Sequence, residues 1–169
     1  MRDSPAYLSL GSNVGARESA LLSAVRSLET EGIARLSRVS SLYETEPVAC
    51  DPMDDFANVV VEVQPLLCPE DLLIRLQMLE QHMGRRGGHN EPRTVDIDIV
   101  AVADQVLKTA DLEIPHPRYR ERAFVLVPLG EIAPGFTCPV TGKSVSEMIQ
   151  AIAAPQRVTL ISARRMICQ

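Results

Sequence analysis

The chain has 169 residues, 46% of them hydrophobic and 23% charged, with a net charge of −5. That length is enough for one domain with a real core, and the acidic balance excludes a broad electrostatic footprint for nucleic acid. No apolar run reaches spanning length and the N-terminus lacks a signal-peptide apolar region, so a cytoplasmic single domain over residues 1–169 is expected, without nucleic-acid or membrane partners.

The four cysteines, Cys50, Cys68, Cys138 and Cys168, form no C-x-x-C pair, which argues against a disulfide framework or a zinc site. Ala6 to Leu10 reads as a short apolar strand ending in a Gly11-Ser12-Asn13 turn. A helix follows from about Ala16 to Glu29, with Leu21, Ala24, Val25 and Leu28 at helical spacing. The turn can offer backbone N–H groups to an anion, but it lacks G-x-G-x-x-G and equally fits a plain tight turn.

Arg35 to Glu44 reads as one second strand, closed by Thr45-Glu46-Pro47. Phe56 to Val63 is a third strand after the acidic stretch Asp51 to Asp55. Asn58 is its odd member, since Asn is depleted in strands. Its amide suits a heterocycle edge, and a turn or edge position fits the spacing as well. Pro69 to about Met83 is a helix, with Pro69 at its first position and Glu70-Asp71 at its positive end. Gln77 and Glu80 stand three apart and should be neighbours on one polar side. Arg85 to Glu91 is a polar, glycine-rich loop whose arginines fit either phosphate ligands or a solvated surface.

Val95 to Val100 then alternates β-branched residues with Asp96 and Asp98. Strand side chains repeat every two residues, so the two carboxylates share one face and Ile97 and Ile99 the other. Paired carboxylates repel unless a cation joins them. Mg²⁺ accepts one or two carboxylates together with substrate phosphates, and the planar fork of Arg93 suits phosphate oxygens. A solvated edge strand with two surface acids carries the same pattern.

Val106-Leu107 should be a short strand, Leu112 to Pro117 extended, and Tyr119 to Leu129 a helix broken near Pro128. Arg118, Arg120 and Arg122 crowd its start, where the helix dipole disfavours cations, so they point to a bound anion or to a solvated turn. Thr141-Gly142-Lys143-Ser144 ends like a phosphate loop but has Thr137 where the leading glycine belongs. It reads as a turn before a helix from about Val145 to Ala153, with a last strand from Arg157 to Ile161. The order implies a ferredoxin-like α+β sandwich, an antiparallel sheet with helices packed on it and a C-terminal extension.

Leu10-Gly11-Ser12-Asn13, Tyr43-Glu44-Thr45-Glu46-Pro47, Asp55-Phe56-Ala57-Asn58, Pro92-Arg93-Thr94-Val95-Asp96-Ile97-Asp98-Ile99, Pro115-His116 and Arg122-Ala123-Phe124 together resemble the 6-hydroxymethyl-7,8-dihydropterin pyrophosphokinase family of folate biosynthesis. The resemblance runs from about Ala6 to Pro134. It implies transfer of pyrophosphate from ATP to the pterin hydroxymethyl group, with two Mg²⁺ ions held by Asp96 and Asp98. It implies phosphate or nucleotide contacts at Arg85, Arg93, His116 and Arg122, with Gln77 and Glu80 beside the nucleotide. The Ile99 backbone would lie near the adenine. The pterin would lie against Phe124 and Phe56, near Asp96, with Asn58 and the backbone of Thr45, Glu46, Pro47 and Val48 reading its edge. Arg85 to Glu91 should close over the phosphates. This chain departs from many members in having Asn90-Glu91 and no tryptophan before Pro92, Pro117 after His116, and Ala49 in the pterin loop. Inactive pterin-binding relatives, regulatory modules and RNA-binding modules of the same fold are the alternatives; an RNA reader would need strand aromatics and basic charge.

Overall fold

The computed structural model describes residues 4–47, 54–84, 94–152 and 157–162. The strands are β1 (Ala6–Ser12), β2 (Ala34–Val39), β3 (Leu42–Thr45), β4 (Phe56–Pro65), β5 (Asp96–Val102), β6 (Leu107–Lys108), β7 (Glu113–Ile114) and β8 (Val158–Ser162). The helices are α1 (Arg17–Thr30), α2 (Pro69–His82), α3 (Ala123–Ile132) and α4 (Val145–Gln150).

The main sheet runs β5-β1-β4-β3-β8, with β2 also on β4, and its described pairings are antiparallel. The α+β sandwich is therefore as expected. Alternation decides its two faces. Leu8, Leu10, Val59, Val61, Ile97 and Ile99 point to one side and form a core with Leu21, Leu28, Leu72, Leu76 and Leu79 of α1 and α2. Burying each such leucine contributes about 1.5–3 kcal/mol before chain entropy is counted. Tyr7, Val60 and Val100 point to the other side and pack against Leu126 and Leu129 of α3 and Met148 of α4.

Three local readings need correction. The single strand over residues 35–44 is two strands. The strand breaks at Ser40 and Ser41, where the Ser40 N–H donates to the Val60 carbonyl at 2.9 Å and the Ser40 hydroxyl accepts from the Val60 N–H at 3.0 Å. A side-chain oxygen here takes a donor that an unbroken ladder would have given to a carbonyl. The break also frees Ser41 to meet α3. Glu131 accepts from Ser41 N–H, the Ser41 hydroxyl and the Tyr43 hydroxyl, each at 2.9 Å. Burial first, and then the bond to Glu131, push the Tyr43 hydroxyl pKa up to about 12.

The second correction concerns α3. It runs through Pro128, and the break lies earlier: residues Tyr119–Glu121 form a 3₁₀ turn and Arg122 is extended. Proline in the second turn of a helix forfeits one N–H, and here burial in the second core compensates. The third correction moves the end of β1 from Leu10 to Ser12, so Gly11 belongs to the strand. The turn before α4 is as expected: Gly142 has φ +69, and Ser144 caps the helix in a reciprocal box with Glu147. Among the described residues no helix is long and apolar enough to cross a membrane.

Candidate functional site

Asp96 and Asp98 lie on β5 as the two-residue repeat requires, half-buried on the sheet face opposite Ile97 and Ile99, which are buried. The sheet register extends that face sideways. Gly11 of β1 sits between Asp96 of β5 and Asn58 of β4, and Asn58 in turn stands beside Tyr43 of β3. One row of the sheet thus carries a carboxylate, a gap with no side chain, and an amide.

The gap has a physical reason. A Cβ built on Gly11 would meet Asn58 Oδ1 at 2.9 Å and Phe56 Cδ1 at 3.7 Å. Asn58 is 3% exposed and its Nδ2 donates to Thr45 Oγ1 at 2.6 Å. The amide is therefore fixed by Thr45 on one side and needs a bare backbone on the other. Glycine inside a strand marks such a close approach; the sequence carries that signal at Gly11, although the Gly11-Ser12-Asn13 run also has the composition of a turn. Gly11→Ala should push the Asn58 amide off its position and weaken binding of whatever ligand it reads by about 1–2 kcal/mol. Titration calorimetry checks this, and unchanged affinity would remove Gly11 from the site.

On the other flank, the N-terminal end of α3 closes over β5. Arg122 Nη1 stands 3.3 Å from Asp98 Oδ2, and His116 Nε2 4.0 Å from the same oxygen. The backbone N–H of Arg118 donates to His116 Nδ1 at 3.1 Å, so in the neutral ring the proton sits on Nε2, toward Asp98. Burial lowers the His116 pKa; Asp98 opposes that shift, while Arg122 and Arg118 add to it. Arg122 also lies over the Phe124 ring, 5.5 Å from its centre. Arginine at the start of a helix, disfavoured by the dipole, thus has an acid and a ring face as partners.

Two helix residues behave differently from each other. Gln77 is exposed. Glu80 is 3% exposed, and its Oε1 accepts from the backbone N–H of Ile97 at 2.6 Å. They do not share one open polar side: Glu80 braces β5 between the two aspartates. Ile99 puts its side chain into the core and faces Leu8 across the ladder. Thr45 is buried, Pro47 and Phe56 are half-buried, and Glu46 is exposed. Val48, Arg85 and Arg93 lie outside the described residues, as does the loop over residues 85–91.

Among the described residues no group of three or more His, Cys, Asp or Glu forms a metal cage. Two carboxylates on one strand face suit a hard cation that takes its remaining oxygens from a ligand and from water.

Residues 7–134 match the family model described as 7,8-dihydro-6-hydroxymethylpterin-pyrophosphokinase. The chain is 43% identical over 128 residues to the 2-amino-4-hydroxy-6-hydroxymethyldihydropteridine pyrophosphokinase of Bacillus subtilis, covering 75% of this chain and 77% of that one. It is 40% identical over 147 residues to the folic acid synthesis protein fol1 of Pneumocystis carinii, covering 86% of this chain and 20% of that protein. It is similar in fold, with a TM-score of 0.69 and 16% identity, to the wild-type HPPK-DHPS of Plasmodium falciparum with pteroate, covering 86% of this chain and 41% of that one. The chain thus spans a fifth of the Pneumocystis carinii protein and less than half of that solved chain.

Proposed function

The chain belongs to the 7,8-dihydro-6-hydroxymethylpterin-pyrophosphokinase family, and from that premise we infer that it transfers pyrophosphate from ATP to 6-hydroxymethyl-7,8-dihydropterin in folate biosynthesis. The observation that carries the reading is the row Asp96–Gly11–Asn58, flanked by Arg122, His116 and Phe124. It sets an acidic, cation-binding end beside a flat floor ending in a fixed amide.

In this reading the pterin lies over Gly11, against Phe124 and Phe56. Asn58 reads its amide and amino edge, with backbone groups of Thr45, Glu46, Pro47 and Val48. The pterin hydroxyl oxygen attacks the β-phosphorus of ATP, the bond from that phosphorus to the α-phosphate oxygen breaks, AMP leaves, and the hydroxyl proton passes to solvent. Members of the family are generally Mg²⁺-dependent; two Mg²⁺ ions, held by Asp96 and Asp98, would neutralise the phosphate charge. Asp96 also faces the pterin hydroxymethyl group. Arg122 and His116 hold ATP phosphates, and the Arg122 pair with Asp98 opens when they do. The family resemblance assigns phosphate contacts to Arg85 and Arg93 as well, and the nucleotide side to Gln77 and the Ile99 backbone, with Glu80 bracing the strand from beneath. The chain's part in the chemistry is positioning and charge placement.

The direct test is incubation with ATP, Mg²⁺ and the hydroxymethyl dihydropterin. AMP and the pterin diphosphate should appear in equal amounts; ADP, or no product, would overturn the reading. For the pocket, Phe124→Ala should weaken pterin binding by about 2 kcal/mol, the scale of base–aromatic stacking. ATP-analogue affinity should change less, and calorimetry separates the two. An equal loss for both ligands would place Phe124 outside a pterin-specific role.

A further inference from the structure

The chain continues beyond the family-matched segment into β8, which pairs with β3: Thr45 stands opposite Val158 and Glu44 opposite Thr159. Arg157, just before β8, reaches two points on the chain at once. Its backbone N–H donates to Glu46 Oε1 at 3.0 Å, and its Nη2 to Asp55 Oδ2 at 2.6 Å. Glu46 follows the end of β3 and Asp55 precedes the start of β4. Arg17, the first residue of α1, adds a second brace: Nη2 donates to Glu44 Oε1 at 2.8 Å and Nη1 to the Asp55 carbonyl.

Three carboxylates, from Glu44, Glu46 and Asp55, therefore gather where β3 ends and β4 begins, and two arginines hold them together. Their neighbours are the side chains assigned to the pterin. Thr45 is paired with Phe56 across the ladder, Tyr43 with Asn58, and Asn58 donates to Thr45. The ladder between β3 and β4 is three residue pairs long. So short a ladder fixes the separation of its last pair weakly, and a side-chain clamp beyond it has leverage that a clamp on a long strand would lack.

We propose that Arg157 is a positioning residue for the pterin subsite. It holds the ends of β3 and β4 at the spacing at which Thr45, Phe56 and Asn58 form one binding surface. The proposal rests on the pterin reading above. The ion pair is open to solvent, with side chains 61% and 31% exposed, so its share of global stability is small. Its effect falls on the local geometry of one ligand's site.

The experiment compares Arg157→Ala, Arg157→Lys and Arg157→Glu by calorimetry with two probes, hydroxymethyl dihydropterin in the presence of an Mg²⁺–ATP analogue, and the analogue alone. Arg157→Ala should weaken pterin binding about two- to fivefold, the range of an exposed ion pair. Arg157→Glu puts a fourth acid among the three and should weaken it roughly tenfold or more, since like charges brought together repel. Arg157→Lys keeps the charge and should recover most of the loss. Affinity for the analogue alone and the unfolding midpoint should stay at wild-type values in all three. Raising salt should narrow the gap between wild type and Arg157→Glu, because exposed charges are screened. Wild-type pterin binding in Arg157→Glu, or equal losses for both probes, would overturn the proposal while leaving the functional reading intact. Failure of the wild type itself to bind the pterin would overturn both.

Discussion

Asp96→Ala and Asp98→Ala are each expected to lower kcat by roughly 10³-fold at saturating Mg²⁺, since each removes several kcal/mol of phosphate charge stabilisation. Neither change should unfold the protein. Both carboxylates sit on the half-buried face of β5, and Ile97 and Ile99 on the other face hold the strand in its core. Asp98→Ala also frees Arg122, but that pair is partly solvent-exposed, so its loss costs under about 1 kcal/mol of stability. Asp98→Asn sharpens the test. It keeps the shape and loses the charge, so it should fail in turnover nearly as badly as alanine. Thermal unfolding must accompany the kinetics. Near wild-type turnover in either alanine variant, with an unchanged unfolding midpoint, would sink the assignment.

The aspartates were legible because strand periodicity is strict: once residues 95–100 alternate, Asp96 and Asp98 must share a face. The same rule put Ile97 and Ile99 in a core, where they lie, and the helical stripe of Leu21, Ala24, Val25 and Leu28 is buried as its spacing required. What periodicity cannot carry is what crosses the sheet. Gly11 read as a turn because its reason for being glycine is Asn58, a residue far along the chain. Asn58 read as the odd member of a strand because its partner is Thr45 on another strand. The break at Ser40 and Ser41 answers to Val60 and Glu131, neither of which is local. The helix break was expected at Pro128 because proline is the local signal, yet it falls at Arg122, whose partners Asp98 and Phe124 were invisible as such. Arg17 and Arg157 carried no motif, Asp55 was legible only as the first residue of Asp55-Phe56-Ala57-Asn58, and Arg157 reaches Asp55 only where β8 has paired with β3.

Glu80 shows how the same letter in a sequence can serve a strand rather than a ligand. On α2 it looked like a polar neighbour of Gln77 facing the nucleotide. In the fold it is buried, and its carboxylate accepts from the one backbone N–H that lies between Asp96 and Asp98. Glu80→Ala would strand the buried Ile97 N–H and leave a void, so it should destabilise the protein by about 3 kcal/mol. For a chain of this size that corresponds to an unfolding midpoint lower by roughly 6–12 °C. Glu80→Gln keeps an acceptor oxygen and should lose about half as much, because a neutral acceptor is weaker than a carboxylate. Turnover should fall in both variants, since β5 carries both aspartates and loses its brace against α2. Measuring the unfolding midpoint beside ATP-analogue affinity separates the two roles. An unchanged midpoint with weakened analogue binding would put Glu80 on the nucleotide after all. A lowered midpoint, with turnover falling more than analogue affinity, would mean that Glu80 acts on the chemistry through the strand that it holds.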